Sequence, residues 1–284
     1  MAKFIFSAFA DEYSSVFDEQ LFGLKKLGIP LMEIRGVDGT NVSDLDASEA
    51  KEIARKLEDS GIGISAIGSP IGKIRITAKF DEHIEKLKRT IETAHILSAD
   101  RIRMFSFYMP HKTRDYTDYK DEVIERIGKM LEIADAEGIR LFHENEKGIF
   151  GESPENCLIL LDAFPGRLGC VFDPANFGQN RFEAYPLAYD MLKDRIDYFH
   201  IKDVSESGDI CPAGEGVAHI PEILADANKM ERTYILTLEP HLWDFAGLSS
   251  LEEDAKSVIS RRFSDGKSAF EFGFASLSRI VSEL

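Results

Sequence analysis

Cysteine is scarce in this chain: Cys157, Cys170 and Cys211 are an odd number with no C-x-x-C spacing. That excludes a disulfide framework and a structural zinc site built on thiolates, and leaves the three thiols reduced and inert. Basic residues are outnumbered, 34 Lys and Arg against 50 Asp and Glu, for a net charge of −16. Such a surface repels nucleic acid phosphates and anionic lipid, so neither is an expected partner. An anionic substrate would need only a local basic spot. Long apolar runs are also missing. The start, Met1-Ala2-Lys3-Phe4-Ile5-Phe6-Ser7, reaches Asp11 and Glu12 without one, and no later segment is long and charge-free enough to span a bilayer. A cytoplasmic protein is expected. No linker rich in Pro, Gly or Ser divides the 284 residues, so one domain, 1–284, is expected, of a length that suits a large α/β barrel.

What is present is an alternation, repeated eight times, of short apolar runs with longer amphipathic ones. Strands are expected at 3–8, 30–34, 63–67, 101–107, 139–142, 168–172, 196–199 and 233–238. Helices are expected at 16–27, 47–60, 81–97, 119–137, 154–164, 185–193, 220–229 and 268–283. Ser153-Pro154-Glu155 supplies an N-cap followed by proline at the first helical position, and Gly61 and Gly138 mark helix ends. Eight strand–helix units imply parallel strands joined by crossover helices. The count, the length and the lack of a Gly-rich phosphate turn after strand one, where Ala8-Phe9-Ala10-Asp11-Glu12 stands, favour a closed barrel over an open doubly wound sheet. The fold class is α/β, a single (β/α)8 TIM barrel. Its chief irregularity is a long connection after strand eight, residues 241–267, carrying Trp243, Phe245 and Arg261-Arg262. A lid or an oligomer contact is one reading of it and a passive surface loop the other.

In such a barrel the C-terminal strand ends converge, so residues just past each apolar run meet in space. Strand two ends in Glu33 and Arg35, strand five in His143, Glu144 and Asn145, and strand six in Asp173 and Asn176. Strand seven ends in His200, Lys202 and Asp203, and strand eight in Glu239 and His241. Glu144, Asp173, His200 and Glu239 are spaced 29, 27 and 39 residues apart, one βα unit or slightly more each. A carboxylate after a strand often just caps the next helix, as Asp173 before Pro174 would. Three carboxylates at one mouth, however, repel one another unless a cation sits among them. Carboxylate oxygens with one imidazole suit Mn²⁺, Mg²⁺ or Co²⁺, with Zn²⁺ also compatible. His143 points away from Glu144 if the strand continues, so it is expected to be packed. His219 reads as a helix start, His111 lies in the strand-four loop, and His241 reaches either the mouth or a solvated loop.

The segments Phe142-His143-Glu144-Asn145, Phe172-Asp173-Pro174-Ala175-Asn176-Phe177, Phe199-His200-Ile201-Lys202-Asp203, Gly214-Glu215-Gly216 and Leu238-Glu239-Pro240 resemble the xylose isomerase-like TIM barrels, the sugar phosphate isomerase/epimerase group. The resemblance covers nearly the whole chain. It implies that Glu144, Asp173, His200 and Glu239 bind one divalent metal, Mn²⁺ first among the candidates. It further implies proton abstraction beside a metal-bound carbonyl through an enediolate, with Glu144 and Glu239 as the catalytic pair. Lys202 would neutralise a substrate oxygen, and Glu33 and Arg35 would contact hydroxyls or a phosphate; a rim salt bridge is the other reading of Arg35. The implied substrate is a small sugar, sugar phosphate or polyol ketone, and a homo-oligomer is usual for the group. Family nucleases carry extra histidines, one three residues after the strand-six Asp; here Asn176 stands there, and strands three and four end at Gly68 and Ser106 without histidine. DNA repair is therefore rejected. Asn176 also departs from the ketose epimerases, several of which carry His there to position substrate; Asn176 itself is expected to contact substrate. Lys202 looks more like the inosose dehydratase side of the group. An inosose-dehydratase-like lyase and a non-catalytic carbohydrate-binding barrel are the alternatives.

Overall fold

The computed structural model describes residues 1–110, 116–244, 259 and 262–284. Eight strands form the closed barrel: β1 (Lys3–Ala8), β2 (Leu31–Ile34), β3 (Gly63–Gly68), β4 (Arg101–Met104), β5 (Arg140–Glu144), β6 (Leu168–Phe172), β7 (Ile196–Ile201) and β8 (Thr233–Leu238). Each pairs in parallel with its sequence neighbours, and β8 closes on β1 through Lys3–Thr233 to Ala8–Leu238. Around it run α1 (Phe17–Leu27), α2 (Ala47–Ser60), α3 (Phe80–Ile96), α4 (Lys120–Ala136), α5 (Pro154–Ala163), α6 (Pro174–Gln179), α7 (Tyr189–Leu192), α8 (Ile220–Asn228) and α9 (Gly266–Ser282). This is the expected TIM barrel, and no described helix is long and apolar enough to cross a membrane.

The elements form where local chemistry directs them. Asp46 accepts from the backbone N–H groups of Ser48 and Glu49 while Glu49 accepts from that of Asp46, a reciprocal cap that starts α2; Gly61 ends it in the left-handed region at φ 72°. Ser153 caps α5 ahead of Pro154 as expected. Three boundaries differ instructively. β4 stops at Met104 instead of reaching Phe107, because Phe105 and Phe107 turn their N–H groups to Ile71 and Gly72 of the preceding loop. β5 and β7 run beyond their apolar runs, to Glu144 and Ile201, so their last polar residues belong to the sheet. The helix expected at 185–193 begins as a wide turn, Ala184–Ala188, and is α-helical only over Tyr189–Leu192, whereas α6 follows Asp173 directly. His111, Phe245 and Arg261 lie outside the described residues.

The barrel interior is layered. Ala66, Phe142, Val171 and Tyr198 form one apolar layer, separate from the larger core between sheet and helices. Gly169 makes room for it: a Cβ there would stand 2.2 Å from the Phe142 ring. Two residues further along β5 and β7 the same inward face carries Glu144 and His200, so the apolar floor gives way to a polar layer at the C-terminal mouth.

After β7 the chain makes a hairpin, Asp203–Val204 with Ile210–Cys211. Asp203 organises it by accepting from the backbone N–H groups of Val204, Gly214, Gly216 and Ala218 at 2.8 to 3.1 Å. The Gly214-Glu215-Gly216 motif thus has a steric cause. A Cβ on Gly216 would stand 2.2 Å from the Val204 carbonyl oxygen and 2.3 Å from Asp203 Oδ1. Gly216→Ala is expected to cost about 1–3 kcal/mol by forced displacement in this packed turn; an unchanged urea midpoint would refute the steric account.

Candidate metal centre

The alternation of β7 turns Tyr198, His200 and Lys202 to the barrel interior and Phe199 and Ile201 to the helices. His200 stands opposite Thr237 of β8, and the ladder continues one residue further, where the Glu239 N–H donates to the Ile201 carbonyl. Phe142 and Glu144 share the inward face of β5, so His143 turns outward, as expected: its Nε2 lies 2.9 Å from Ser106 Oγ, and burial pushes its pKa down to about 3.

Four successive strands bring the four residues expected as ligands to one point. Glu144, Asp173, His200 and Glu239 are all buried, and one ligand atom from each lies within 4.8 Å of the others. His200 Nδ1 is 3.0 Å from Glu144 Oε1 and 3.5 Å from Glu239 Oε2. Asp173 divides its oxygens. Oδ1 accepts from the N–H groups of Ala175 and Asn176 and caps α6, while Oδ2 is buried and makes no hydrogen bond. Cap and ligand, posed as alternatives by the sequence, are compatible on one side chain. A buried carboxylate oxygen with no hydrogen bond and the Lys202 ammonium 3.2 Å away, set among two further carboxylates and an imidazole, belongs to a donor set that fits a divalent cation. Asn145 steadies this ligand, its Oδ1 accepting from the Asp173 N–H and its Nδ2 donating to the Asp173 carbonyl, at 2.9 and 2.8 Å.

The electrostatics follow from burial and crowding. Burial, with Glu144 and Glu239 nearby, raises Asp173 to about 6 despite the opposing pull of Lys202. Burial alone would discharge His200, but Glu144 and Glu33 outweigh it and hold the imidazolium well above its ordinary pKa. Lys202 Nζ lies 3.2 Å from Asp173 Oδ2 and 4.0 Å from Glu239 Oε2; these acids overcome its desolvation and keep it charged. Burial raises Glu239, yet Lys202, His241 and His200 bring it well below the usual carboxylate range.

Two of the residues expected at the substrate are engaged within the protein. Glu33, expected at substrate hydroxyls or a phosphate, has no exposure and lies on the floor of the site. Its Oε2 sits 3.0 Å from His200 Nε2 and accepts from Thr237 at 3.0 Å, while Oε1 accepts from Tyr198 at 3.3 Å. It orients the imidazole so that Nδ1 faces Glu144 and Glu239. Arg35, expected at the same hydroxyls, is buried among Asp11, Glu12 and Glu239 at 2.7 to 3.1 Å, which is the salt-bridge reading of it. Asn176 and Lys202 lie beside the cluster: Asn176 Nδ2 donates to the Asn145 carbonyl at 2.9 Å and lies 3.4 Å from Glu144 Oε1.

One residue beside the cluster escaped the sequence reading, and two others take places the sequence left open. Arg103 brings its Nε within 3.3 Å of Glu144 Oε2; its signal was the alternation Arg101-Ile102-Arg103-Met104 inside a buried strand. Phe9 fills the space above Gly68, where a Cβ would stand 2.6 Å from its ring, and meets the His200 ring edge-on at 5.1 Å. His241, left between the mouth and a solvated loop by the sequence, is buried at the mouth with Nε2 3.1 Å from Glu239 Oε1, on left-handed backbone at φ 49°. Sequence carries no signal for that turn.

Metal uptake must displace a proton from His200 and, below about pH 6, another from Asp173. Mn²⁺ affinity is therefore expected to rise with pH, about tenfold per unit near neutrality and more steeply in acid. Calorimetry in buffers of different ionisation enthalpy reads the released protons, and an affinity independent of pH contradicts the scheme. Glu33→Gln removes the charge behind His200 and is expected to weaken Mn²⁺ about 10- to 100-fold in chelator competition; unchanged affinity in that variant would detach Glu33 from the centre.

Comparison with known proteins gives a concordant picture. No curated protein matches the chain. Solved structures share its fold. They include an L-ribulose 3-epimerase (19% identity, TM-score 0.71, 100% of this chain and 95% of that one) and the probable 3-DHS dehydratase of Bacillus anthracis (15%, 0.71, 99% of each). A xylose isomerase-like TIM barrel protein from Mycobacterium smegmatis in complex with magnesium is a third (15%, 0.69, 99% and 97%). The family model described as xylose isomerase-like TIM barrel matches residues 23–259, and the chain belongs to that family.

Proposed function

We propose that this protein is a divalent-metal-dependent isomerase or epimerase of a small sugar, sugar phosphate or polyol ketone. The observation that carries the reading is the convergence of Glu144, Asp173, His200 and Glu239 within 4.8 Å, with Asp173 Oδ2 buried and making no hydrogen bond. A divalent ion held by these four, Mn²⁺ by preference, supplies Lewis-acid polarisation of a substrate carbonyl and lowers the pKa of the adjacent C–H. Glu144 and Glu239 flank the site and act as the acid–base pair: one takes the proton from carbon and the other returns a proton from the opposite side. Lys202 stays charged and meets negative charge that develops on a substrate oxygen. Asn176 contacts the substrate beside Glu144. The fold likeness to a 3-epimerase supports the reaction class, and the net charge of −16 supports a small-molecule partner over nucleic acid. We further infer a single barrel domain, working in the cytoplasm as a homo-oligomer.

Lys202 also favours a second reading. An ammonium 3.2 Å from Asp173 and 4.0 Å from Glu239 can offset departing hydroxide, which would make the protein a dehydratase-like lyase working from the same proton abstraction. Both readings predict that the Mn²⁺-loaded protein washes deuterium from D₂O into a ketose, an inosose or its product, and the lyase alone yields a dehydrated product. Glu144→Gln and Glu239→Gln are each expected to slow exchange at least about 100-fold. Exchange that survives both changes eliminates the two-carboxylate mechanism; a wild-type protein that binds sugar without exchange is a carbohydrate-binding barrel.

A further inference from the structure

Beside the candidate metal centre lies a second cluster that shares Glu239 with it and whose other members, Glu12 and His241, the proposed reaction does not use. Glu12, Glu239 and His241 are buried and bring ligand atoms within 4.8 Å of one another. His241 Nε2 is 3.1 Å from Glu239 Oε1 and 3.5 Å from Glu12 Oε1. Two carboxylate oxygens and an imidazole nitrogen at such spacings make up part of a coordination shell for a divalent ion.

A cation already stands against these oxygens, and it belongs to the chain. Arg35 donates from Nη1 to Glu239 Oε1 at 2.7 Å and from Nη2 to Glu12 Oε1 at 3.1 Å. Asp11 grips another edge of the same guanidinium, at 2.9 Å to Nε and 3.0 Å to Nη2, and the Phe9 ring lies 4.2 Å from its central carbon. A guanidinium held in a two-point fork neither deprotonates nor exchanges with solvent cations. Glu239 is the carboxylate the two clusters share. With Oε1 engaged by Arg35 and His241, Oε2 is the oxygen turned toward His200 Nδ1 at 3.5 Å.

We propose that Arg35 stands in the place of a second metal ion. It is a positioning residue that fills the Glu12–Glu239–His241 cluster, limits the centre to one divalent ion and presents Glu239 to that ion through Oε2. The inference rests on the metal reading of Glu144, Asp173, His200 and Glu239, and its test reads stoichiometry as well as affinity so that the two fail separately.

Mn²⁺ binding to the full chain would be measured by calorimetry, and by metal analysis after gel filtration, for wild type, Arg35→Ala and Arg35→Lys. One ion per chain is expected in the wild type and two in Arg35→Ala, where Asp11, Glu12, Glu239 and His241 lose their counter-charge. Arg35→Lys keeps the charge but not the fork; it is expected to bind one ion about tenfold more weakly than wild type. A wild-type protein that binds no Mn²⁺ sinks the metal reading and this proposal together. One ion in the wild type and one in Arg35→Ala, at equal affinity, overturns this proposal alone. Should Arg35→Ala fail to fold, Arg35→Lys decides, since wild-type affinity there removes the positioning role.

Discussion

Carboxylates gathered where water is excluded set the terms for everything at the mouth of this barrel. Six of them, Asp11, Glu12, Glu33, Glu144, Asp173 and Glu239, are buried around the ligand cluster, against three permanent cations, Arg35, Arg103 and Lys202. An isolated buried carboxylate is too costly to keep ionised, so each must find a counter-charge or a proton. The arrangement reads as a set of answers to that demand. Arg35 serves three acids, Arg103 lies beside Glu33 and Glu144, and Lys202 serves Asp173 and Glu239. A divalent ion with a neutral His200 would bring the balance to one excess negative charge, and Glu12, raised to about 7 chiefly by burial, is the acid best placed to carry a proton.

The same demand explains why the polar layer sits above an apolar one. Phe142 and Tyr198, their rings 5.7 Å apart, close the barrel beneath Glu144 and His200 and keep water from the underside of the site. Glu33 therefore has only protein groups to bond, and it takes His200, Thr237 and Tyr198. A fixed polar floor of this kind holds the imidazole in one orientation without help from solvent.

Much of this was legible in the chain. Parallel strands buried on both faces read as apolar runs, and the residue past each run reads as a group aimed at the mouth; Glu144, Asp173, His200 and Glu239 emerged on that logic and do converge. Depth was not legible. Glu33 and Arg35 alternate onto one face of their strand, but nothing local says that one lies under the imidazole and the other beside Glu239. Polar residues at the ends of β5 and β7 looked like the end of the sheet because periodicity cannot distinguish a polar interior from solvent. Arg103 carried the same ambiguity. The cap signal at Asp173-Pro174 was visible, but the shortness of α6 hid it as an element.

That short helix has a role beyond filling the gap between β6 and α7. Because Asp173 spends one oxygen on the first turn of α6, the rotation of its carboxylate is set by the helix and not by the ligand. The other oxygen is aimed before anything binds, so no rotamer freedom is lost when it does. The coupling also runs outward. Asn176, in that same first turn, reaches back to the Asn145 carbonyl and toward Glu144, so α6 touches two of the four clustered residues at once. A contact made on the outer face of α6, by a loop or a neighbouring subunit, would alter the geometry at the centre of the barrel without approaching it.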